Sequence, residues 1–290
     1  MAKTANSISV GHWLRQHPQL ARIDLELSLC YTLECSRAHL LSHADSILSL
    51  GQLKQLQDWT DQLHAGVPFA YLYGKQEFWG LELAVDASVL VPRPDTETLV
   101  EQTLACLPDQ TYVAANGMRP RLLDLGTGSG AIALALAAER KDVEIHACDI
   151  SVPSLALAQT NSATLGLPVH FHHSDWFNNI NGCFDVIVAN PPYIDPADPH
   201  LTALRAEPNH ALVAQEHGLA DLRKICCQAA EYLHLNGWLL LEHGHDQGPA
   251  VRSLLAENGF SLAQSCKDLG GNERVSWGQK GADGAELIHG

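Results

Sequence analysis

The sequence predicts an α/β fold with a mostly parallel sheet, preceded by a small helical unit, and two observations lead to this prediction. From Arg121 onward, short apolar runs with strand character alternate with helical runs, which is typical of a parallel sheet with helices on both faces. Before residue 67, apolar residues recur at helical spacing, as in Leu25, Leu29 and Leu33, without strand-type alternation. At 290 residues the chain is long enough for two unequal domains.

The N-terminal part of the chain is expected to form a helical domain followed by a β-hairpin. Leu53, Leu56 and Leu63 continue the helical spacing of apolar residues. The runs "FWGLELAVD" and "SVLVP" then have the alternating or continuous apolar character of two strands. We therefore predict a helical domain over 1–76 and a hairpin linker over 77–91.

The remaining residues, 92–279, are predicted to form one sheet domain. Asp95 is expected to cap a helix that runs to Leu104 and stops near Pro108. Strands and helices then follow in the order "RLLDLG", "AIALALAAE", "VEIHACD", "PSLALAQTNSATLG", "VHFHHSD", "FDVIVAN", a helix over 219–233, "GWLLLEHG", "GPAVRSLLAENG", "FSLAQSCKDL" and "RVSWGQ". The last two strands have no helix between them, so an antiparallel edge pair is predicted. The tail 280–290 has little to bury and is predicted to be disordered.

Composition and charge limit the partners and the compartment. The formal net charge is −15 and the 18 basic residues are scattered, which argues against a nucleic acid held through phosphate contacts. The N-terminus has no apolar signal-peptide core, and no apolar run is long enough to span a membrane. The eight cysteines show no CxxC pair and no regular spacing, which is typical of a reduced cytosolic protein. We expect a cytoplasmic protein without direct contact to membrane or nucleic acid.

A glycine-rich loop connects the first predicted strand of the sheet to the helix that follows it. Glycine is needed where the backbone turns tightly and approaches a ligand, and the helix N-terminus adds free N–H groups. We predict that the loop binds a cofactor through Gly126, Thr127, Gly128, Ser129 and Gly130. The pattern also fits the dinucleotide fingerprint, so an NAD-binding oxidoreductase is one alternative.

Acidic residues near this loop favour S-adenosylmethionine over a dinucleotide. Asp124 stands just before the loop, where a carboxylate would attract an ammonium group and oppose a pyrophosphate. Asp149 ends the next strand, where an acid pairs with two ribose hydroxyls in either cofactor class. In "SDWF", Asp175 could bond an adenine amino group and Trp176 could pack on the ring, although an aromatic residue here could equally cap the core.

The run "FDVIVANPPY" ends an apolar strand on a rigid double proline. Sheet order would place this end beside the glycine loop, at the crevice where open α/β sheets bind ligands. The prolines fix the backbone and have no N–H group to engage, so their carbonyls stay available. The Asn190 side-chain oxygen and the Pro191 carbonyl could then converge on one planar –NH2 group. Pro192 stiffens the segment, and Tyr193 could lie against the substrate.

The Asn190 oxygen and the Pro191 carbonyl together are called the NPPY clamp below. Such a pair of acceptors suits methylation of an amide or aryl amine, whose nitrogen lone pair is delocalised. Two acceptors would orient the nitrogen for in-line attack, and their dipoles would face the positive charge that develops on it. No strong base is required, because the nitrogen becomes acidic as its bond to the methyl group forms. We therefore predict Asn190, Pro191 and Tyr193 as catalytic, and Asn190 through Tyr193 as substrate-binding.

Other polar residues receive no role from the sequence. His170, His172 and His173 share a predicted strand, but no carboxylate or cysteine stands at fitting spacing, so no metal site is predicted. Glu242 ends another strand and could line the pocket or simply accept hydrogen bonds there.

The motifs in this order resemble the protein-(glutamine-N5) methyltransferases that modify peptide-chain release factors. The resemblance covers residues 10–278 and is carried by "YLYGKQEFWGLELAVDASVLVPRPDTETLVE", "DLGTGSGAIALALA", "ACDIS", "SDWF", "FDVIVANPPYI", "EPNHALVA", "GWLLLEHG" and "DLGGNERV". The NPPY motif alone is shared with adenine-N6 methyltransferases that act on DNA or RNA.

This resemblance implies a seven-stranded, Rossmann-like class I S-adenosylmethionine-dependent methyltransferase with an N-terminal helical domain that docks the substrate. It implies that the glutamine of the Gly-Gly-Gln motif in class-1 release factors accepts the methyl group. Cofactor contacts are implied for Gly126 to Gly130, Asp149, Trp176 and Asn190, while Arg93 and Glu97 in "PRPDTE" look like pocket-wall residues without an assigned role. An adenine-N6 methyltransferase of the same fold and an NAD-binding oxidoreductase remain the alternatives.

Overall fold

The structure, a computed structural model, describes residues 7–109 and 117–281. The chain divides into two compact units, Met1–Tyr73 and Gly74–Gly290. Within the described ranges, no helix is long and apolar enough to cross a membrane. The predicted disordered tail lies outside the described residues except for its first two, and Lys280 ends the last strand of the sheet.

The first unit is built from helices, as the spacing of its leucines predicts. Its elements are α1 (Val10–Arg15), α2 (Arg22–Thr32), α3 (Arg37–Ser42), α4 (Leu50–His64) and α5 (Phe69–Tyr73). Ser9, Ser36 and Ser49 cap α1, α3 and α4 by accepting a backbone N–H in the first turn, a role that suits a short hydroxyl side chain. Leu29 and Leu56 are fully buried in the core of this unit.

The second unit opens with the hairpin of β1 (Lys75–Phe78) and β2 (Leu81–Ala84). The prediction that "SVLVP" forms a strand was wrong, since residues 88–92 have no strand structure. Side chains satisfy part of this backbone instead: Asp86 accepts the N–H of Ser88 at 2.8 Å, and Glu207 accepts the N–H of Val91 at 3.1 Å. The apolar character of the run reflects burial of its valines without a partner strand.

Seven strands form a single mixed sheet. They are β3 (Arg121–Leu125), β4 (Glu144–Asp149), β5 (His170–His173), β6 (Phe184–Ala189), β7 (Leu233–Glu242), β8 (Phe260–Lys267) and β9 (Glu273–Lys280). Their order is β5-β4-β3-β6-β7-β9-β8. The strands β3 to β7 are parallel, and β9 pairs antiparallel with both β7 and β8. The predicted antiparallel pair is therefore confirmed, with β9 inside the sheet and β8 at its edge.

Five helices of the described residues accompany the sheet: α6 (Glu97–Cys106), α7 (Ala131–Glu139), α8 (Val152–Leu165), α9 (Ala220–Ala229) and α10 (Gly248–Glu257). Alternate residues of β6 enter two separate cores, with Val186 and Val188 in one and Ile187 and Ala189 in the other, as the two-residue period of a strand requires. Helices α6 and α7 cover the first core, whereas α9 and α10 cover the second.

Short turns link several elements near the carboxyl ends of the strands. They are 3-10 turns at Pro94–Thr96, Pro199–Thr202 and Asn209–Ala211, and a distorted helical turn at Gln215–Gly218. A further 3-10 turn, Ala230–Tyr232, leads into the amino end of β7. The prediction that Asp95 caps α6 was wrong, because the turn Pro94–Thr96 precedes the helix and Asp95 pairs with Arg274 at 3.3 Å.

Candidate active site

A cavity of about 300 Å³ lies beyond the carboxyl ends of β3, β4 and β6, where the strand order reverses and open α/β sheets form their ligand crevice. The predicted site residues that line it are Gly126, Thr127, Gly128, Ser129, Asp149, Trp176, Asn190 and Pro192. Gly130, Pro191 and Tyr193 do not line it. The structure thus brings the glycine loop, the acid that ends β4 and two residues of NPPY, Asn190 and Pro192, to one cavity.

The glycine loop is fixed by hydrogen bonds to the end of β4. The backbone N–H groups of Gly126 and Thr127 both donate to the Cys148 carbonyl at 2.9 Å, and that of Gly128 donates to Asp149 Oδ2 at 2.9 Å. Gly128 has a φ of +56°, and among the described residues no atom beyond Gly128 and its two chain neighbours lies within 4 Å of the position its Cβ would take. This position therefore gives a ligand direct access to the backbone.

Gly130 does not line the cavity but allows two helices to pack closely. It is the N-cap of α7 with a φ of +85°, and a Cβ there would meet Leu134 at 3.1 Å and Ala158 at 3.3 Å. Only glycine combines this backbone conformation with the close approach of α7 and α8.

Two buried acids flank the loop. Asp149 is 8% exposed, and its Oδ1 accepts the Ser151 N–H at 2.8 Å. Asp124 is fully buried, and its Oδ2 accepts the Thr127 hydroxyl at 2.6 Å while its Oδ1 has no hydrogen-bond partner within the described part of the chain. Burial raises the pKa of the Asp124 carboxyl to about 7, against the lowering effect of Thr127.

Trp176 closes one side of the loop. It adopts a φ of +49°, and its ring would lie 3.4 Å from a Cβ on Gly126. The side chains of Trp176 and Asp221 are hydrogen-bonded, with the indole N–H as the donor. Asp175, expected at an adenine amino group, also lines the cavity but pairs with Lys224 at 2.9 Å.

The NPPY segment is held by contacts from three other parts of the chain. Asn190 Nδ2 donates to Thr96 Oγ1 at 3.2 Å, and the Tyr193 hydroxyl donates to Glu242 Oε1 at 3.3 Å. Gln247 Nε2 donates to the Tyr193 carbonyl at 3.0 Å. Burial raises the pKa of the Tyr193 phenol well above its ordinary range. The side chains of Asn190 and Tyr193 and the carbonyl of Tyr193 are therefore held in position before a substrate binds.

Comparison with known proteins places the chain in a family. Its residues 104–247 match the methyltransferase small domain, and residues 12–74 match the PrmC N-terminal domain. The release factor glutamine methyltransferase of Salmonella typhimurium is 45% identical over 278 residues, which cover 92% of this chain and 98% of that protein. The chain belongs to the release factor glutamine methyltransferase family. The Escherichia coli protein of that name is 44% identical, with the same coverage of both chains.

A solved structure supports the fold assignment of this release factor glutamine methyltransferase family member. The crystal structure of a methyltransferase from Pyrococcus furiosus superposes with a TM-score of 0.54 at 17% identity, covering 77% of this chain and 100% of that one. The predicted class I methyltransferase fold is confirmed by this similarity together with the seven-stranded sheet.

Two residues that the sequence offered as pocket walls lie elsewhere in this family member. Glu97 does not line the cavity, and its Oε1 accepts the Trp79 N–H at 2.9 Å, which ties α6 to the hairpin. Glu242 does not line it either, being 1% exposed behind Tyr193. Arg93 does line the cavity and forms an ion pair with Glu207.

Sequence reasoning missed several side chains that shape the site. Thr96 and Asp221 contact predicted site residues, while His210 and Lys224 line the cavity. Thr96 lies within "PRPDTE" between the two residues that the resemblance singled out. Glu207 and His210 lie within "EPNHALVA", a motif of the resemblance to which the sequence assigns no role. Asp221 and Lys224 lie in α9, where no local pattern marks them.

Proposed function

We propose that this protein transfers a methyl group from S-adenosylmethionine to the side-chain amide nitrogen, N5, of the glutamine in the Gly-Gly-Gln motif of class-1 release factors. The observation that carries the proposal is the shared cavity of Asn190, Asp149 and the glycine loop, in a chain of this family. The same cavity then holds Asn190, which can accept an amide N–H, and the residues expected to contact the cofactor.

The residues around the loop fit S-adenosylmethionine. Gly128 leaves its backbone open to the cavity, and Asp149 supplies a carboxylate for ribose hydroxyls. Asp124 has a buried oxygen beneath the loop that accepts no hydrogen bond from the described residues, which suits a nearby ammonium group. The Trp176 ring beside Gly126 gives a flat apolar wall. When bound, S-adenosylmethionine would supply an electrophilic methyl group, and its sulfonium sulfur would keep the electron pair of the broken C–S bond and leave as a thioether.

The NPPY segment would hold the acceptor amide. Asn190 Oδ1 and the Pro191 carbonyl each accept one N–H of the glutamine side chain, and Tyr193 supports them from behind. The nitrogen then forms its bond to the methyl carbon and releases one proton to solvent. Fixing the nitrogen in line with the methyl group lowers the barrier through orientation, and the two oxygen dipoles stabilise the positive charge that develops.

Charge at the cavity favours a protein substrate over a nucleic acid. Arg93 and Lys224 line the cavity, and each is paired with a carboxylate, Glu207 and Asp175 respectively. A nucleic acid would need such cations for its phosphates, and the net charge of −15 opposes it further. These charges therefore favour a glutamine amide over an adenine base as the methyl acceptor.

A labelled-methyl assay tests the proposal. The protein is incubated with methyl-labelled S-adenosylmethionine and purified release factor, and peptide mapping should locate the label on the Gly-Gly-Gln glutamine. A release factor with that glutamine changed to alanine is the control and should stay unlabelled. Asn190→Ala should abolish transfer while cofactor binding survives. Label on parallel DNA or RNA samples, with none on release factor, would favour an adenine-N6 methyltransferase instead.

A further inference from the structure

The orientation of the Asn190 carboxamide decides whether the clamp can work. A carboxamide carries an acceptor oxygen on one side and a donor –NH2 on the other. Only the oxygen can receive an N–H from a substrate amide, so an Asn190 flipped by 180° would present a donor to a donor. Something beside Asn190 therefore has to select one of the two orientations.

Thr96 contacts the donor end of this side chain. Asn190 Nδ2 lies 3.2 Å from Thr96 Oγ1, across 94 residues of sequence. Thr96 is 5% exposed and ends the turn Pro94–Thr96, directly before α6. The two prolines that precede it, Pro92 and Pro94, limit the backbone of this turn, so the hydroxyl is held in place.

A hydroxyl alone does not determine the orientation, because it can donate or accept. Thr96 also interacts with the Glu242 carboxyl, whose Oε2 is buried without a hydrogen-bond partner within the described ranges. Glu242 Oε1 already accepts the Tyr193 hydroxyl. A hydroxyl has one proton, so if Thr96 gives it to Glu242, only its lone pairs remain for Asn190, which then must present –NH2.

We propose that Thr96 and Glu242 are positioning residues that keep the Asn190 carboxamide oxygen turned toward the acceptor amide. This inference rests on the proposed function, because it concerns the same NPPY clamp. Glu242 sets the direction of the Thr96 hydroxyl, and Thr96 sets the orientation of Asn190.

The protonation state of Glu242 makes this arrangement sensitive to pH. Burial raises the pKa of Glu242 to about 7, while Thr96, Arg274 and Tyr193 lower it and Asp95 raises it further. Arg274 is itself held by Asp95 and by Asp268. An ionised Glu242 can only accept, which fixes the Thr96 proton. A protonated Glu242 can donate to Thr96, and the Thr96 hydroxyl is then free to donate to Asn190 Oδ1 and flip the amide.

The test compares Thr96→Val, Thr96→Ser and a matched control, Thr103→Val. Thr103 is also buried, and its hydroxyl donates to the Leu99 carbonyl within α6, so the loss of this hydroxyl should leave turnover unchanged. Thr96→Val should lower kcat on release factor by about 100-fold, with the KM for S-adenosylmethionine within about twofold of wild type. Thr96→Ser retains the hydroxyl and should restore most of the activity.

A pH profile supplies the second readout. In the wild type, kcat should fall about tenfold per pH unit below pH 7 as Glu242 takes up its proton. Glu242→Gln has no ionisable group there, so its kcat should be low and the decrease below pH 7 should disappear. This measurement decides the question even if Thr96→Val does not fold.

The outcomes separate the two proposals. A wild-type protein that methylates no release factor refutes the proposed function. An active wild type with unchanged kcat in Thr96→Val, or with the same acid decrease in Glu242→Gln, refutes only the positioning role.

Discussion

Gly218 offers a direct test of how tightly the NPPY backbone is supported. It has a φ of +83°, and a Cβ there would stand 2.0 Å from the Tyr193 carbonyl oxygen and 2.6 Å from Gln247 Nε2. Real Cβ contacts essentially never fall under 3.0 Å, so Gly218→Ala must move the Tyr193 carbonyl by about 1 Å. The variant combines backbone strain with displacement of the clamp.

The expected cost follows from these two effects. An alanine in the left-handed region costs about 1–2 kcal/mol, and loss of the hydrogen bond from Gln247 to Tyr193 costs about 1 kcal/mol more. The free energy of unfolding should therefore fall by about 2–3 kcal/mol, which lowers the melting temperature by about 4–12 °C for a unit of this size. A shift of about 1 Å in the clamp should lower kcat about 100-fold.

Gly259→Ala is the matched control. Gly259 has a φ of +82°, yet in the described part of the chain nothing beyond its two chain neighbours lies within 4 Å of the position its Cβ would take. It should carry the backbone strain alone, about 1–2 kcal/mol, and leave methyl transfer intact. Urea unfolding and the labelled-methyl assay measure both quantities. Equal unfolding free energies in the two variants, together with normal turnover in Gly218→Ala, would refute the argument that Gly218 supports Tyr193.

Other changes probe the cofactor side of the cavity. Asp149→Ala removes the acceptor of the Gly128 N–H and the carboxylate expected at the ribose, so the rise in melting temperature on adding S-adenosylmethionine should disappear; a retained rise would contradict this role. Trp176→Phe removes the hydrogen bond to Asp221 but keeps an aromatic ring. Calorimetry should therefore show a Kd for the cofactor about 3- to 10-fold higher, and an unchanged Kd would contradict a role of this hydrogen bond in cofactor binding. The pKa of Asp124 is raised from 3.8 to about 7 in the folded state, so its contribution to stability is lost as pH rises through that range. Between pH 5 and pH 8 the ligand-free wild type should lose about 2–3 kcal/mol more unfolding free energy than Asp124→Asn, and equal losses in urea titrations would contradict the assignment.

Local sequence patterns predicted most of the sheet domain because its strands and helices are short, apolar and regularly spaced. The run "AIALALAAE" coincides with α7, Ala131–Glu139, since a helix buried on all sides needs apolar residues throughout. Similarly, Gly126, Gly128 and Asp149 could be selected because loop and acid stand at fixed places after consecutive strands. The failure at "SVLVP" has the opposite origin, because the N–H groups of Ser88 and Val91 bond to side chains and not to a partner strand. The acceptor of the Val91 N–H, Glu207, is 116 residues away.

The roles that the sequence did not reveal for Thr96, Glu242 and Gln247 share one physical cause, because each residue acts through a contact between distant segments. Thr96 reaches Asn190 across 94 residues, Glu242 reaches Tyr193 across 49, and Gln247 reaches the Tyr193 carbonyl across 54. No local period encodes such pairs, so only the fold reveals them.

Backbone strain beside NPPY indicates why these distant contacts are kept. Glu216, His217 and Gly218 have consecutive positive φ values of 57°, 56° and 83°, and each non-glycine residue in that region costs on the order of 1 kcal/mol. The turn brings Gly218 against the Tyr193 carbonyl and the His217 carbonyl to Gln247 Nε2 at 3.2 Å. A relaxed turn would move this wall away and leave the Tyr193 carbonyl free to shift. A clamp for a weakly nucleophilic amide depends on fixed acceptors. The strained turn at Gly218 holds the Tyr193 end of the NPPY segment, and the Thr96 contact holds its Asn190 end. Both contacts therefore meet the same requirement, because each keeps one end of the segment in place.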